Sequence, residues 1–323
     1  MKPIAVTGLG TLTPFGLSPQ ALLEGARTEA RAAHWPHESL RRLPEPIPAV
    51  ECRRDFSALP RATQLAVSVA HQALSDAKVR VGSKTDPERI GLYVATCCGL
   101  LDELNAFEEA LRHQRSAAAG PYAYQELTLG ALAGHVCIAH QIRGPSYPLI
   151  GDPTGAAPCM DLAASDLNAN TIDVALVVNV EPAGPAMQAM VEHAQATSRA
   201  AGTSPGWGSE VAVALVLERA TLEPQSHTAA VSEALRAPYG ILRTADRHDA
   251  ARRAPALMTP TAHLLRPLGW TGTCSTTLDV ALSALLLRFG WSALPQPLEA
   301  DRAASISPLP PGRMSMFLEA HQP

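Results

Sequence analysis

Cys159 is the residue of this chain whose type and position are best suited to covalent chemistry. Pro158 precedes it, and proline is common at the first position of a helix. A thiol in the first helical turn can be held as the thiolate, which is the nucleophile of acyl transfer and of thiol-dependent hydrolysis. No pair of histidines is positioned to assist it, so Cys159 is a weak alternative nucleophile and not a complete catalytic set.

The other cysteines and the histidines form no pattern that binds a metal. The six cysteines lack paired C-x-x-C spacing, and the adjacent side chains of Cys97 and Cys98 would point apart on a strand. His135 and His140 lie five residues apart on an apolar helix, which does not place them on one face. We therefore expect no metal site, and we expect reduced cysteines, as is usual in the cytoplasm.

Composition excludes several classes of partner. The chain has 323 residues, is 46% hydrophobic and carries a formal net charge of −4 without runs of like charge. A nucleic acid or an anionic membrane therefore finds no basic patch. No apolar stretch suits a transmembrane helix, the amino terminus lacks a secretory apolar region, and Gly8-x-Gly10 is not a dinucleotide fingerprint. We expect a globular cytoplasmic protein without a cofactor.

Apolar strands and amphipathic helices alternate along most of the chain. Strands are expected at 3–7, 90–96, 173–178 and 211–217, with weaker ones near 228–234 and at 314–319. Helices are expected at about 19–26, 61–78, 104–111, 128–142, 158–168 and 275–289. Residues 34–60 and an Arg-rich stretch around 243–253 show no clear period. Because the strands are apolar on both faces, the pattern predicts an α/β fold in which helices cover both faces of a sheet.

Five short motifs, in this order, resemble those of β-ketoacyl synthases. They are residues 6–10 (VTGLG) with 13–16 (TPFG), 86–92 (DPERIGL), 143–147 (RGPSY), 173–176 (DVAL) and 206–212 (GWGSEVA). The resemblance implies a thiolase-like layered fold (α-β-α-β-α) with two mixed sheets and a shortened C-terminal half. It divides the chain into a synthase-like half at 1–220 and a truncated thiolase-like half at 221–323.

The catalytic positions of that family carry other residues here. The family's cysteine lies nine residues after the glycine of its Gly-Pro-Ser run, and counting from Gly144 reaches Pro153. Counting back from Asp173 by the family's interval reaches Pro153 again. The family's lysine falls on Leu265 and one of its histidines on Trp270, while the region of the other catalytic histidine has no counterpart.

Decarboxylative condensation has no mechanism without those groups. It needs a thiolate at a helix N-terminus and two imidazoles that stabilise the enolate formed when malonyl loses carbon dioxide. Proline has no nucleophile, leucine has no charge, and tryptophan offers a single N–H. Loss of all the members of such a set should leave little activity.

The resemblance therefore implies a catalytically silent member, a chain length factor. Such proteins pair with an active 3-oxoacyl-[acyl-carrier-protein] synthase in type II polyketide, polyene or fatty-acid biosynthesis and help to shape the acyl pocket. The partners implied are that synthase subunit and, through the complex, an acyl carrier protein. In thiolase-fold dimers the strand after the nucleophile helix is expected at the two-fold axis, and here that strand is 173–179.

Two other functions stay open at this point. One is an acyltransferase or hydrolase that uses Cys159 on a remodelled thiolase fold. The other is a homodimeric acyl-binding or regulatory protein with no synthase partner.

Overall fold

A computed structural model describes residues 4–29, 40–52, 55–114, 124–151, 156–200, 208–220, 240–245, 268, 274–289 and 315–319. Its strands are β1 (Ile4–Leu12), β2 (Ile90–Thr96), β3 (Ser146–Ile150), β4 (Val174–Glu181), β5 (Val211–Arg219), β6 (Gly240–Ala245) and β7 (Ser315–Glu319). Its α-helices are α1 (Pro19–Glu29), α2 (Arg61–Asp76), α3 (Leu101–Gln114), α4 (Leu129–His140), α5 (Ala156–Asn168), α6 (Pro185–Ala200) and α7 (Cys274–Phe289).

The seven described strands form one mixed sheet in the order β3-β2-β4-β5-β1-β6-β7. β2 runs parallel to both β3 and β4, while β5 is antiparallel to β4 and to β1. β6 and β7 extend the sheet beyond β1 in antiparallel fashion. The second sheet of the expected layered fold is not among the described residues.

Helices cover both faces of this sheet, as the apolar strands predict. Alternate residues of a strand face opposite ways, so each strand serves two cores. Even-numbered side chains of β2, β4 and β5 pack with α2 and α4. Odd-numbered side chains of the same strands pack with α1, α5 and α7. Every residue of β4 is consequently buried.

Two glycines of the first motif let α2 lie close against β1. A Cβ added to Gly8 or to Gly10 would lie 2.3 Å from a backbone carbonyl oxygen of the helix. A hydrogen bond also joins the helix to the strand, because Asp76 Oδ2 accepts the N–H of Leu9 at 2.9 Å. Any larger side chain at either glycine would push the helix away from the sheet.

Most expected elements are present, with shifted ends. The expected strand at 228–234 lies outside the described residues, as does most of the stretch around 243–253. Three elements were not expected: β3, α6 and β6. Within the described part of the chain, no helix is both long enough and apolar enough to cross a membrane.

The strand expected at a dimer two-fold lies inside the sheet. β4 pairs with β2 along one side and with β5 along the other, so both rows of its backbone groups are already bonded. The expectation that 173–179 meets a partner strand is therefore wrong. An apolar run indicates burial on both faces, but it does not indicate which strand is at an edge. Among the described strands, the one at the edge of the sheet beside β2 is β3.

Candidate functional site

The residues that the resemblance predicts at the family's catalytic positions, Pro153, Leu265 and Trp270, lie outside the described residues. The elements on either side of the first of them are described. β3 ends at Ile150, Gly151 follows, and α5 begins at Ala156. The site is therefore described by the strand ends that surround residues 152–155.

Gly144, in the motif at 143–147, positions β3 against β2. A Cβ on Gly144 would lie 2.3 Å from the carbonyl oxygen of Ile90, so only glycine allows this approach. The next residue, Pro145, accepts a hydrogen bond from the N–H of Leu92 at 2.8 Å. The turn into β3 is thus fixed by contacts at the start of β2.

A buried acid joins the ends of three parallel strands. Glu181, the last residue of β4, is fully buried, and its two carboxyl oxygens accept the N–H groups of Cys97 (2.7 Å) and Cys98 (3.1 Å). The Cys97 thiol donates to the carbonyl oxygen of Gly151 at 2.7 Å. Glu181 therefore holds the turn after β2, and that turn holds the residue that precedes 152–155.

The first turn of α7 lies against the same strand ends. The Thr277 hydroxyl donates to Asn179 Oδ1 at 2.7 Å, and both residues are buried. Among the residues that the structure describes, none bonds to the Nδ2 atom of Asn179. Cys274 is also buried there, and burial raises the pKa of its thiol well above the usual value, with a further contribution from Glu181. Apart from this Nδ2 atom, the polar groups named at this corner bond to one another.

Cys159 has the environment of a structural cysteine, and the helix that carries it begins at Ala156, two residues before Pro158. Cys159 is the fourth residue of α5 and is fully buried in the core beneath the sheet. Burial raises the pKa of its thiol to about 12. A reactive cysteine is normally accessible and has a lowered pKa. The reactivity of Cys159 stays a prediction, and this geometry disfavours it.

Two of the five motifs meet at the opposite ends of the strands. Arg89 donates from Nε and Nη2 to the two carboxylate oxygens of Asp173, at 2.5 and 2.9 Å. Arg219 Nη2 donates to Asp173 Oδ1 at 2.6 Å. The hydrogen bond from Arg89 is the largest cause that lowers the pKa of Asp173 to about 2. Arg89 and Asp173 from the motifs, together with Arg219, hold β2, β4 and β5 against one another.

The acid of the last motif, Glu210, also has a structural role. It accepts hydrogen bonds from Arg61 Nε at 2.8 Å and from the N–H groups of Leu43 and Ala183, both at 3.2 Å. Burial is the largest single influence and would raise its pKa, but the hydrogen bonds and charge of Arg61, together with the N–H groups of Leu43 and Ala183, lower the pKa overall. A cleft of about 490 Å³ beside it is lined by Arg61, Glu45 and Glu210, which already pair with one another.

The edge of the sheet at β3 is uncharged and partly apolar. Its five residues, Ser146–Ile150, include no acid or base. The side chain of Ile150 is 64% exposed and that of Tyr147 is 38% exposed. Edge strands of proteins that remain alone are commonly protected by charges, bulges or a covering element. Sequence reasoning missed this strand, although its first two residues belong to the motif at 143–147.

The comparisons with known proteins identify the family. The model of the β-ketoacyl synthase N-terminal domain matches residues 1–220. The chain belongs to the β-ketoacyl synthase family. A search of curated protein sequences found no match.

Solved structures show the same fold at low sequence identity. One is a type II polyketide synthase acyl-carrier protein in complex with its ketosynthase bound to the hexaketide (AntDE:AntF), with a TM-score of 0.67 and 20% identity over 88% of this chain and 92% of that one. Another is the ishigamide ketosynthase/chain length factor, with a TM-score of 0.61 and 19% identity over 87% and 91%. A third is a β-ketoacyl synthase from Burkholderia phymatum STM815, with a TM-score of 0.58 and 17% identity over 83% and 70%. The fold is therefore the thiolase-like fold of ketosynthases.

Proposed function

We propose that this chain is the non-catalytic subunit of a ketosynthase heterodimer, a chain length factor. The observation that carries the proposal is the uncharged, exposed edge of β3 in a chain that has Pro153 at the family's nucleophile position. The edge supports a role in association, and the proline supports a role without condensation chemistry.

The relatives support a ketosynthase assembly without distinguishing its subunits. One similar structure is a ketosynthase/chain length factor, and another is a ketosynthase in complex with its acyl-carrier protein. A likeness in fold fits a catalytic and a silent subunit equally. The replacement of the family's catalytic residues by Pro153, Leu265 and Trp270 favours the silent one.

A condensing enzyme needs a thiolate and two imidazoles, and the proposal assigns all three to the synthase subunit. The described thiols and polar groups beside residues 152–155 bond to one another, as for Cys97 with Gly151 and Thr277 with Asn179. The proposed contribution of the chain is therefore to complete the heterodimer, to bound the acyl pocket at its interface and to receive the acyl carrier protein through the complex.

Co-expression with the β-ketoacyl synthase encoded nearest to this chain tests the pairing. We expect a 1:1 complex on size-exclusion chromatography and condensation of malonyl-loaded carrier protein by the complex. Substitution of the synthase's own cysteine by alanine should abolish that condensation. A chain that forms only a stable homodimer and leaves the synthase unbound would favour the acyl-binding or regulatory alternative.

Intact-mass measurement of the isolated chain tests the catalytic silence. After incubation with acyl- and malonyl-carrier protein we expect no covalent mass increase and no release of carbon dioxide. The variant Pro153→Cys should also fail to condense, because the two imidazoles are still missing. Stoichiometric acylation that disappears in Cys159→Ala would replace this proposal with an acyltransferase or hydrolase.

A further inference from the structure

We propose that Pro148 makes the β3 edge select a strand of a different subunit over the β3 edge of a second copy of this chain. The inference rests on the proposed function and names what gives the pairing its preference. Pro148 is the central residue of β3, and proline is the one residue without a backbone N–H.

The direction in which Pro148 faces follows from the ladder between β2 and β3. The carbonyl oxygen of Pro145 accepts the N–H of Leu92, and the N–H of Gly151 donates to the carbonyl oxygen of Thr96. In a parallel ladder the backbone groups of alternate residues point to the same neighbour. Positions 145, 147, 149 and 151 therefore face β2, and positions 146, 148 and 150 face away from the sheet.

The outer edge of β3 thus has a gap in its row of donors. Ser146 and Ile150 each offer an N–H and a carbonyl oxygen to a partner strand, while Pro148 offers only a carbonyl oxygen. This is the position at which a sheet tolerates proline, because no bond within the sheet is lost. The edge can accept hydrogen bonds along its whole length, but it cannot donate at its centre.

Self-pairing meets this gap twice. A two-fold axis makes two copies of an edge strand antiparallel, and outward-facing residues then exchange pairs of hydrogen bonds. If Pro148 lies opposite its own copy, both bonds of that pair are missing. If it lies opposite Ser146 or Ile150 of the copy, one bond is missing from each of two symmetry-related pairs. Every register that includes Pro148 in the ladder therefore lacks two bonds, one for each copy.

A partner strand with a donor at the facing position lacks only one. It gives its own N–H to the Pro148 carbonyl oxygen, and a single acceptor on the partner is left without a bond. A shift of β3 by one residue would bring donors to its outer edge, but it would also turn every side chain of the strand to the other face of the sheet. Tyr147 resists such a shift, since its ring stacks on that of Tyr93 at 5.4 Å.

The absence of charge on this edge strengthens the argument. Many edges avoid self-association through an exposed lysine or glutamate, which would also repel other strands. Here Tyr147 and Ile150 remain available to an apolar partner, and the backbone supplies the discrimination. The surface therefore fits the uncharged edge strand of a synthase subunit whose facing residue is not proline.

Pro148→Ala tests the proposal, with Pro145→Ala as the matched control. The new N–H at 148 faces outward, whereas one at 145 faces β2. Sedimentation equilibrium gives the homodimer dissociation constant of the isolated chain, and titration with the co-purified synthase gives that of the heterodimer. Restoring two bonds should tighten the homodimer about tenfold to a hundredfold, while restoring one should tighten the heterodimer about threefold to tenfold. Pro148→Val restores the same donor with a β-forming residue and serves if the alanine variant folds poorly.

The two proposals fail in different ways. If no synthase binds the wild-type chain, the heterodimer is refuted, while the homodimer measurement still reports on Pro148. If Pro148→Ala and Pro148→Val self-associate no more tightly than Pro145→Ala, including the case in which none forms a dimer, the role of Pro148 is refuted even where the heterodimer stands.

Discussion

β3 and β4 belong to one sheet, yet they differ in pairing and in exposure. β4 is paired on both sides and is fixed at its two ends, by the Arg89 clamp on Asp173 and by the buried Glu181. Among the described strands, β3 pairs with β2 alone, and it has exposed side chains. The comparison teaches that an apolar run indicates burial, whereas pairing and anchoring determine whether a strand serves the core or a partner.

The largest expected effect is that of Val177→Lys. Val177 is fully buried in β4 between Tyr93 of β2 and Leu215 of β5. A lysine there buries an unpaired ammonium group, which costs about 5 kcal/mol or more and approaches the whole stability of a domain. We expect an insoluble or unfolded chain, as judged by soluble yield and far-ultraviolet circular dichroism.

A matched control separates a fold defect from added charge alone. Ala106→Lys places the same group at an exposed position of α3 and should leave the soluble yield unchanged. If Val177→Lys instead gave a folded chain that only lost its synthase, β4 would be at the interface and the comparison between the two strands would be reversed.

The second effect concerns the anchor at the carboxyl end of β4. Glu181→Ala leaves the N–H groups of Cys97 and Cys98 buried without their acceptors. We expect a loss of about 3 kcal/mol in the free energy of unfolding, measured by urea denaturation. Glu181→Gln keeps one oxygen acceptor and should lose less. Equal stability of the alanine variant and the wild type would show that Glu181 does not hold this corner.

The third effect falls on β3 and spares the fold. Ile150→Lys replaces an exposed apolar side chain by a charge on the free edge. We expect the heterodimer dissociation constant to rise about tenfold or more, because apolar contact is lost and an ammonium group must be desolvated. The melting temperature of the isolated chain should stay close to that of the wild type. Gln20→Lys, at an exposed position of α1 near the other side of the sheet, is the control and should bind normally.

Much of the fold could be predicted from the sequence, because burial leaves a clear periodic pattern. The runs that became β2, β4 and β5 are apolar throughout, and α2 repeats its apolar residues at helical spacing. β3 was not predicted, because Pro148 interrupts a short segment and a proline normally argues against a strand. Its presence is explained only by its edge position, which depends on the order of strands in space.

The candidate site was less predictable for the same reason. The ion pair of Arg89 with Asp173 joins residues that lie 84 positions apart, and Glu181 meets Cys97 across the same separation. The sequence marks Arg89 and Asp173 through motifs, but it does not show that they bind each other. The environment of Cys159 was also hidden, since position in a first turn says nothing of depth in the core.

The smallest expected effect is a pH dependence at the other anchor of β4. Because Arg89 lowers the pKa of Asp173 to about 2 in the folded chain, the carboxylate is favoured by folding. Its contribution to stability is fully present above its ordinary pKa of about 4 and is lost as the pH falls toward 2. Asp173 is partly exposed, so solvent screens the pair and the effect should be modest. Urea midpoints of the wild type and Asp173→Asn should differ at pH 6, approach each other as the pH falls from about 4 toward 2, and converge only below about pH 2. Arg219→Gln removes one donor of the same clamp and also the hydrogen bonds to the carbonyl oxygens of Leu167 and Ile172, so part of its difference should remain at low pH. A gap between wild type and Asp173→Asn that stays constant with pH would mean that the clamp does not act through charge, and β4 would then owe its central place to pairing alone.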